Sequence, residues 1–273
     1  MKAVTARPTP GIEGVRWIPA EPTGVGALVL AGSSGRVDSA RAELLARRGA
    51  VAESIRWFGG PGQHDGPWEI PLELFLARVA GLAEECDRVV LLGTSFGAEA
   101  ALLAGAHSSQ VAAVVAFAPS DLIWAGVRSD GSVTSHWTFD GVPLPYMPFD
   151  EYWAPDDDVP AFVGLYEASR RRFPERVDAA TIPVECIEQV VLVAGGDDQV
   201  WPALSMAEAI KARRSAHGLG TVLVSDPEAG HRTVLPGEPV AAGGMRMRRG
   251  GTRIADRRLG AAAWPHIASL LES

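Results

Sequence analysis

The stretch VVLLGTSFGAEAALLAG, residues 89–105, decides the fold class of this chain. A β-branched apolar run ends at Gly93 and an Ala- and Leu-rich run begins at Phe96, which predicts a strand, a sharp turn and a helix. Ser95 lies at the turn, with a glycine two residues away on either side, the second being Gly97. A sharp strand-to-helix turn forces strained backbone angles, and the flanking glycines relieve the crowding. The pattern therefore predicts a nucleophilic serine at the carboxyl edge of a parallel sheet.

Apolar, β-rich runs alternate with helical patterns along most of the chain. Several runs are apolar throughout, as in parallel strands that helices cover on both faces. The sequence predicts strands at 26–31, 50–57, 88–93, 111–117, 189–194 and 220–225, and helices at 37–48, 70–85, 96–106, 202–216 and 257–271. This order is typical of α/β proteins with right-handed crossovers. We predict a single α/β domain over residues 1–273 with a mostly parallel sheet.

One segment, residues 121–183, interrupts this alternation. It has no apolar strand-like run, is rich in aromatic residues and includes a helical pattern at 159–173. So long an interruption predicts an insertion that forms a cap over the edge of the sheet. We expect an apolar substrate pocket there. Its predicted lining is Trp124, Trp137, Tyr146, Phe149, Trp153 and, from outside the insertion, Trp201. The alternative is a packing layer without a ligand role.

The amino-acid composition limits the partners and the cellular compartment that we expect for this chain. The net charge is −8 and the isoelectric point is near 5.3, which argues against nucleic acid as a partner because neutralising phosphates takes clustered Lys and Arg. The two cysteines, Cys86 and Cys186, match neither a disulfide framework nor a zinc site and favour a reducing compartment. The chain has no apolar leader and no run of about eighteen apolar residues, so we expect a cytoplasmic protein without membrane contact.

A serine hydroxyl is a poor nucleophile near neutral pH unless a histidine accepts its proton and a carboxylate orients that histidine. After a strand–Ser–helix turn of this kind, the acid and then the histidine follow along the chain. The loop GGDDQVWP, residues 195–202, follows a predicted strand and offers two acids. Asp198 has the expected spacing to the Trp-Pro pair that follows, and Asp197 is the alternative, with capping of the next turn as its plainer role.

The predicted base is His231, in the loop SDPEAGHRT. Among the six histidines, it alone follows both the serine and the acid and lies directly after a predicted strand. The others have plainer explanations or lie in loops where they could touch a substrate: His64, His107, His136, His217 and His266. The predicted catalytic triad is Ser95, Asp198 and His231.

An oxyanion hole needs two backbone N–H groups. The residue after the nucleophile, Phe96, should supply one. The loop after the strand at 26–31 should supply the other through Ser33 or Ser34, with glycines at 32 and 35 allowing the backbone to approach the substrate. A phosphate-cradling loop is disfavoured, because the chain has neither G-x-G-x-x-G nor a Walker lysine here.

With these residues assembled, the chain resembles the α/β-hydrolase superfamily. Within it, residues 25–271 are similar to the C-terminal domain of the acyl-CoA thioesterase and bile acid-CoA:amino acid N-acyltransferase family. The similarity rests on WFGGPGQ (57–63), PWEIPLELFLARV (67–79), LLGTSFGAEAALL (91–103), GVPLPYMPF (141–149) and AGGDDQVWPA (194–203) followed by AGHR. The resemblance implies the same nucleophile, acid and histidine.

Two departures from that family limit what the resemblance implies. Longer members carry an N-terminal β-sandwich domain, which the residues before about 14 cannot build. Members that transfer the acyl group to an amino acid use a cysteine nucleophile, whereas this chain has Ser95. The resemblance therefore implies hydrolysis of an acyl thioester, either acyl-CoA or carrier-bound.

The alternatives are a carboxylesterase or dienelactone-type hydrolase without CoA preference, and a non-hydrolytic acyl-transfer, cyclisation or binding module. The expected partners are a small-molecule acyl thioester or ester, with a homo-oligomer or an acyl-carrier protein left open; the mechanism implies no cofactor or metal. The basic stretch 246–258 either binds CoA or carrier-protein phosphates or is a solvated loop and helix start that Asp256 partly balances.

Overall fold

The computed structural model describes residues 2–240 and 245–272. Its strands are, in chain order, β1 (Val4–Pro8), β2 (Gly14–Pro19), β3 (Val25–Leu30), β4 (Val51–Ile55), β5 (Ile70–Pro71), β6 (Arg88–Thr94), β7 (Val111–Phe117), β8 (Ala125–Val127), β9 (Val133–Ser135), β10 (Trp137–Phe139), β11 (Val142–Pro143), β12 (Gln189–Gly195) and β13 (Val222–Asp226). Its helices are α1 (Ser39–Ala46), α2 (Leu72–Ala83), α3 (Phe96–His107), α4 (Val163–Arg172), α5 (Val177–Ala180), α6 (Ala203–Ala216) and α7 (Arg253–Leu270), with 3₁₀ turns at Pro174–Arg176 and Val184–Cys186.

The central sheet has eight strands in the order β1-β2-β4-β3-β6-β7-β12-β13. The six strands from β4 to β13 in this order are parallel. They lie where the six apolar runs predicted them, within about two residues at each end. The prediction of a mostly parallel α/β sheet is confirmed.

The sheet buries one apolar core on each of its faces. Along β3, Leu28 and Leu30 pack into the core that contains α2, α3 and α6. Val25, Ala27 and Val29 pack into the opposite core, which contains α1 and α7. Because side chains alternate along a strand, helices on both faces account for a strand without polar residues.

The sequence prediction omitted a two-stranded edge to this sheet. β1 pairs antiparallel with β2, and β2 pairs antiparallel with β4. Four of the five residues of β1 are exposed, so this edge strand carries no apolar pattern by which it could be recognised. The residues before 14 thus extend the sheet.

Several predicted helices have different starts in the structure. The patterns at 37–48 and 159–173 form helices only from Ser39 and Val163. The pattern at 70–85 begins with β5, and α2 itself starts at Leu72. The last helix, α7, starts at Arg253 rather than at 257. There the Thr252 side chain accepts a hydrogen bond from the N–H of Ala255 at 3.1 Å, which caps the helix earlier than the apolar pattern indicates.

The insertion at 121–183 packs several of its aromatic side chains into the core on the α3 side. Trp124 and Trp137 have no exposed surface. The backbone N–H of Trp124 donates to Oε1 of Glu99 at 3.1 Å, and the indole N–H of Trp137 donates to the same oxygen at 2.6 Å. Glu99 lies on α3, so the insertion is fixed to the helix that follows Ser95.

Candidate active site

Ser95 lies between β6 and α3 with φ 58° and ψ −124°. A positive φ is strained for any residue with a side chain. A Cβ on Gly93 would lie 2.0 Å from the carbonyl oxygen of Gly97, and one on Gly97 would lie 2.3 Å from that of Ala31. The strand, the helix and the loop after β3 approach so closely that both flanking positions require glycine. This is the crowded turn that the sequence pattern predicts.

His231 and Asp198 form a buried pair in loops at the carboxyl edge of the sheet. Nδ1 of His231 lies 2.7 Å from Oδ2 of Asp198. The second carboxylate oxygen accepts from the backbone N–H groups of Val200 at 2.8 Å and Trp201 at 3.3 Å. Asp197 is exposed and accepts instead from the N–H of Gly251 at 2.7 Å. Of the two acids left open by the sequence, Asp198 is therefore the one that contacts the imidazole.

The loop that carries His231 is held by residues that follow it in the chain. The N–H of His231 donates to the carbonyl of Arg249 at 2.9 Å. The N–H of Gly230 donates to Oδ1 of Asp256, on α7, at 2.8 Å. Burial raises the pKa of the Asp256 carboxyl above its ordinary value, against the lowering effect of that hydrogen bond. The position of the imidazole thus depends on the last helix of the chain.

Ser95 and His231 line one cavity of about 410 Å³, together with the loop after β3. This loop passes close to the serine, since a Cβ on Gly32 would lie 3.1 Å from the Cβ of Ser95. Ser33 and Ser34 are exposed and line the same cavity. Phe96 is the first residue of α3, where an N–H group has no partner within the helix. The two predicted sources of oxyanion donors therefore flank the serine.

The prediction that aromatic residues line a substrate pocket at the serine requires a correction. None of Trp124, Trp137, Tyr146, Phe149, Trp153 and Trp201 is among the described residues that line the cavity at Ser95. The first two and Trp201 have no exposed surface and so offer none to a substrate. Instead, Trp201 contacts the His231 ring at a centroid distance of 5.9 Å and Phe96 at 5.5 Å. The Trp201 ring therefore packs against both the histidine and the residue that follows the serine.

Sequence reasoning missed a buried polar cluster beneath the serine. Glu99 lies one turn along α3 from Ser95, and its Oε1 lies 3.6 Å from Nδ1 of His136. The His136 ring in turn contacts that of Phe96 at a centroid distance of 3.9 Å. The sequence did contain a signal for this cluster, because Glu99 is a lone carboxylate within an Ala- and Leu-rich helix. A carboxylate is buried in such a helix only when other groups pair with it.

Sequence reasoning also missed Arg41. Its guanidinium donates to both carboxylate oxygens of Glu238 at 2.7 and 3.0 Å, and to the hydroxyl of Thr94 at 2.8 Å. Both partners of the ion pair are buried, with 7% of each side chain exposed. The pair joins α1 to the loop after His231 and fixes the residue before Ser95.

The basic stretch 246–258 divides between the cavity and surface ion pairs. Met247 and Arg249 line the cavity. Arg248 pairs with Asp157, and Arg258 pairs with Asp226 and Glu228. Part of the stretch is thus paired with surface carboxylates, none of them the Asp256 that the sequence suggested.

The family described as BAAT / acyl-CoA thioester hydrolase, C terminal, matches residues 79–268. The chain belongs to this family. The part of this BAAT / acyl-CoA thioester hydrolase domain that the match covers includes Ser95, Asp198 and His231. No curated protein matched the chain.

Solved structures place this BAAT / acyl-CoA thioester hydrolase domain in a wider fold. A Klebsiella pneumoniae protein described as a dienelactone hydrolase is 15% identical, with a TM-score of 0.52 and coverage of 99% of this chain and 98% of the other. A hormone-sensitive lipase homologue, EstE7, from a metagenome library is 15% identical, with a TM-score of 0.55 and coverage of 100% and 87%. The protein has the α/β-hydrolase fold, and its family match identifies it as a hydrolase of that superfamily. In the part of the chain that the structure describes, none of the helices is long and apolar enough to cross a membrane.

Proposed function

We propose that this protein is a serine hydrolase that cleaves an acyl thioester through an acyl-enzyme on Ser95. The observation that carries the proposal is the buried contact between His231 and Asp198 at 2.7 Å, together with the position of His231 in the cavity that Ser95 also lines. A hydroxyl, an imidazole and an orienting carboxylate are the parts of a nucleophilic triad. The family of acyl-CoA thioester hydrolases supports a thioester as the substrate.

In the proposed first step, the hydroxyl of Ser95 attacks the carbonyl carbon while Nε2 of His231 accepts the proton. Asp198 accepts a hydrogen bond from Nδ1–H, which fixes the tautomer and stabilises the imidazolium that forms. Two backbone hydrogen bonds to the other carboxylate oxygen keep the acid in place. His231 then gives the proton to the leaving thiolate, and the C–S bond breaks to leave an ester on the serine.

The negative charge on the substrate oxygen would be stabilised by the N–H of Phe96 and an N–H of Ser33 or Ser34. The N-terminus of α3 adds a partial positive charge at the same place. Each such donor contributes about 10²–10³ in rate in related chemistry. Water, activated by His231, then attacks the acyl-enzyme and releases the acid.

The test is the release of free thiol from a panel of acyl-CoA and acyl-N-acetylcysteamine thioesters, beside matched p-nitrophenyl esters. We expect thioester turnover that is lost in Ser95→Ala. Turnover of esters alone would replace this proposal with the carboxylesterase alternative. A folded protein that turns over neither class, and that a fluorophosphonate does not label at Ser95, would refute serine hydrolysis and favour a non-hydrolytic or binding role.

A further inference from the structure

The buried cluster beneath the serine contains two polar atoms without a hydrogen bond. The side chains of Glu99 and His136 are 0% and 3% exposed. Within the described residues, neither Oε2 of Glu99 nor Nδ1 of His136 has a hydrogen-bond partner. Such atoms are rare in folded proteins, because burial takes away their hydrogen bonds to water without replacing them. An anchor for the insertion does not need them, so they point to a further role for this pair.

Glu99 and His136 both contact residues at the start of α3. The backbone N–H of Glu99 donates to the carbonyl of Ser95 at 3.1 Å. The His136 ring contacts the ring of Phe96 at a centroid distance of 3.9 Å, and Phe96 also contacts Trp201 at 5.5 Å. The N–H of Phe96 is a proposed oxyanion donor. The direction of this donor therefore depends on where the His136 ring lies.

The backbone of His136 is already fixed in place. Its N–H donates to the carbonyl of Trp124 at 3.2 Å, and its carbonyl accepts from the N–H of Ile70 at 2.8 Å. Nδ1 lies 3.6 Å from Oε1 of Glu99, whereas hydrogen-bonded atoms lie about 2.7–3.2 Å apart. A small rotation of the ring closes this gap in the tautomer that carries a hydrogen on Nδ1. The ring would then be fixed as well.

The negative charge of Glu99 also needs a partner for an electrostatic reason. Glu99 follows Ser95 by about one helical turn. Burial raises the pKa of the Tyr166 hydroxyl, and the negative charges of Glu99 and Asp198 raise it further. The charge of Glu99 thus acts on the surroundings of the acid. It also repels the negative charge that develops on the substrate oxygen, and a donor directed at Glu99 reduces this repulsion.

We propose that His136 is a positioning residue of the oxyanion hole, which donates a hydrogen bond from Nδ1 to Glu99 and thereby orients Phe96. The same hydrogen bond offsets the charge of the carboxylate beneath the substrate oxygen. The inference rests on the proposed function, in which the N–H of Phe96 binds that oxygen. The insertion, which carries His136, then contributes to catalysis from beneath the nucleophile rather than by lining the cavity.

The test measures kcat and KM for thiol release in His136→Phe. Phenylalanine keeps an aromatic ring against Phe96 and removes the donor to Glu99. We expect kcat to fall by about tenfold to a hundredfold, which is less than the loss of a whole oxyanion donor. KM should be nearly unchanged, because the affected hydrogen bond acts mainly in the transition state.

The matched control is His107→Phe, at the other end of the same helix. His107 is about 18 Å along α3 from Ser95. Its ring also contacts an aromatic side chain of the insertion, Phe139, at a centroid distance of 4.8 Å. This variant should keep kcat and KM, since neither side chain contacts the start of α3.

A second substitution distinguishes positioning from packing. Glu99→Gln removes the charge but keeps an oxygen that can accept from Trp124 and Trp137. The kcat of Glu99→Gln/His136→Phe should exceed that of His136→Phe alone by about threefold or more, because no uncompensated charge then lies near the substrate oxygen. A role in packing alone predicts a lower Tm in the double variant and no recovery of kcat.

The outcomes separate this inference from the proposed function. An active wild type together with a folded His136→Phe whose kcat is within about twofold of it, or a double variant without recovery, would overturn the inference and leave serine hydrolysis intact. If thioesters are not turned over but a fluorophosphonate labels Ser95, the labelling rate constant takes the place of kcat, since the phosphoryl oxygen occupies the same hole. A wild type without turnover or labelling would refute both.

A further variant is available if His136→Phe does not fold. His136→Asn removes the ring that contacts Phe96, and we expect a loss of kcat of the same size. An unchanged kcat in a folded His136→Asn would likewise overturn the inference.

Discussion

Replacing Arg41 with methionine should strongly destabilise the protein. The substitution removes two hydrogen bonds to Glu238 and leaves that carboxylate buried, with the N–H of Leu235, at 3.0 Å, still donating to it. Breaking one side of a buried ion pair costs about 3–5 kcal/mol. For a domain of this size, each kcal/mol corresponds to roughly 2–4 °C in Tm, so we expect a loss of about 6–20 °C.

Two further variants identify the cause. Arg41→Met/Glu238→Leu removes both charges and should recover most of the loss, because apolar residues of similar volume replace a buried pair without leaving a lone charge. Arg248→Met breaks an exposed pair with Asp157, in which about half of each side chain is accessible. It should cost at most about 1 kcal/mol.

The assay is urea unfolding followed by tryptophan fluorescence, with a thermal scan for Tm. The free energy of unfolding of Arg41→Met could lie within about 1 kcal/mol of the wild-type value, or the double variant could be no more stable than the single one. Either result would show that an unpaired, buried Glu238 carboxylate does not destabilise the protein. A lower kcat/KM in the folded variant would further show that the Arg41 contact with Thr94 helps to position Ser95.

Three further predictions concern the acid, the turn and the response to low pH. Asp198→Asn should lower kcat by about 10³–10⁴ in the thiol-release assay, whereas Asp197→Asn should change it far less; equal losses would contradict the assignment of the acid. Gly97→Ala should cost more than about 3 kcal/mol in urea unfolding, because its Cβ would collide with the end of β3, and a variant as stable as wild type would refute the crowding argument. Arg213 lowers the pKa of Glu185 to about 2, so this pair stabilises the fold above pH ~4.5 and ceases to do so as pH falls towards 2. The free energies of unfolding of wild type and Glu185→Gln, measured in urea, should converge over that interval. A constant difference between them would contradict the prediction.

The parallel core of the fold could be predicted from the sequence because its signal is local. β3, β6 and β12 are apolar on both faces, and each is followed by a turn and then a helical pattern. The edge strand β1 gives no such signal. Its backbone forms hydrogen bonds with β2 on one side only, and most of its side chains are exposed. Its residue types are therefore weakly constrained.

The acid–histidine contact could be predicted because chain order and loop position restrict the choices to few residues. The cavity wall could not, since it depends on contacts between distant segments. Arg41 meets Glu238 across 197 positions of the chain. The role of Trp124 was also misjudged, because an aromatic residue gives the same sequence signal in a pocket as in a core. The complete burial of its side chain in the core decides between the two.

The dependence of the His231 loop on α7 sets the order in which a newly synthesised chain acquires its parts. β6 pairs with β3 and β7, so the turn at Ser95 can form once these early strands have left the ribosome. Gly230 is held by Asp256, which is translated after the early strands and after Gly230 itself. A nascent chain would therefore present the serine well before the imidazole is fixed beside it. Under the proposed mechanism, Ser95 of such a chain could not be acylated until α7 docks.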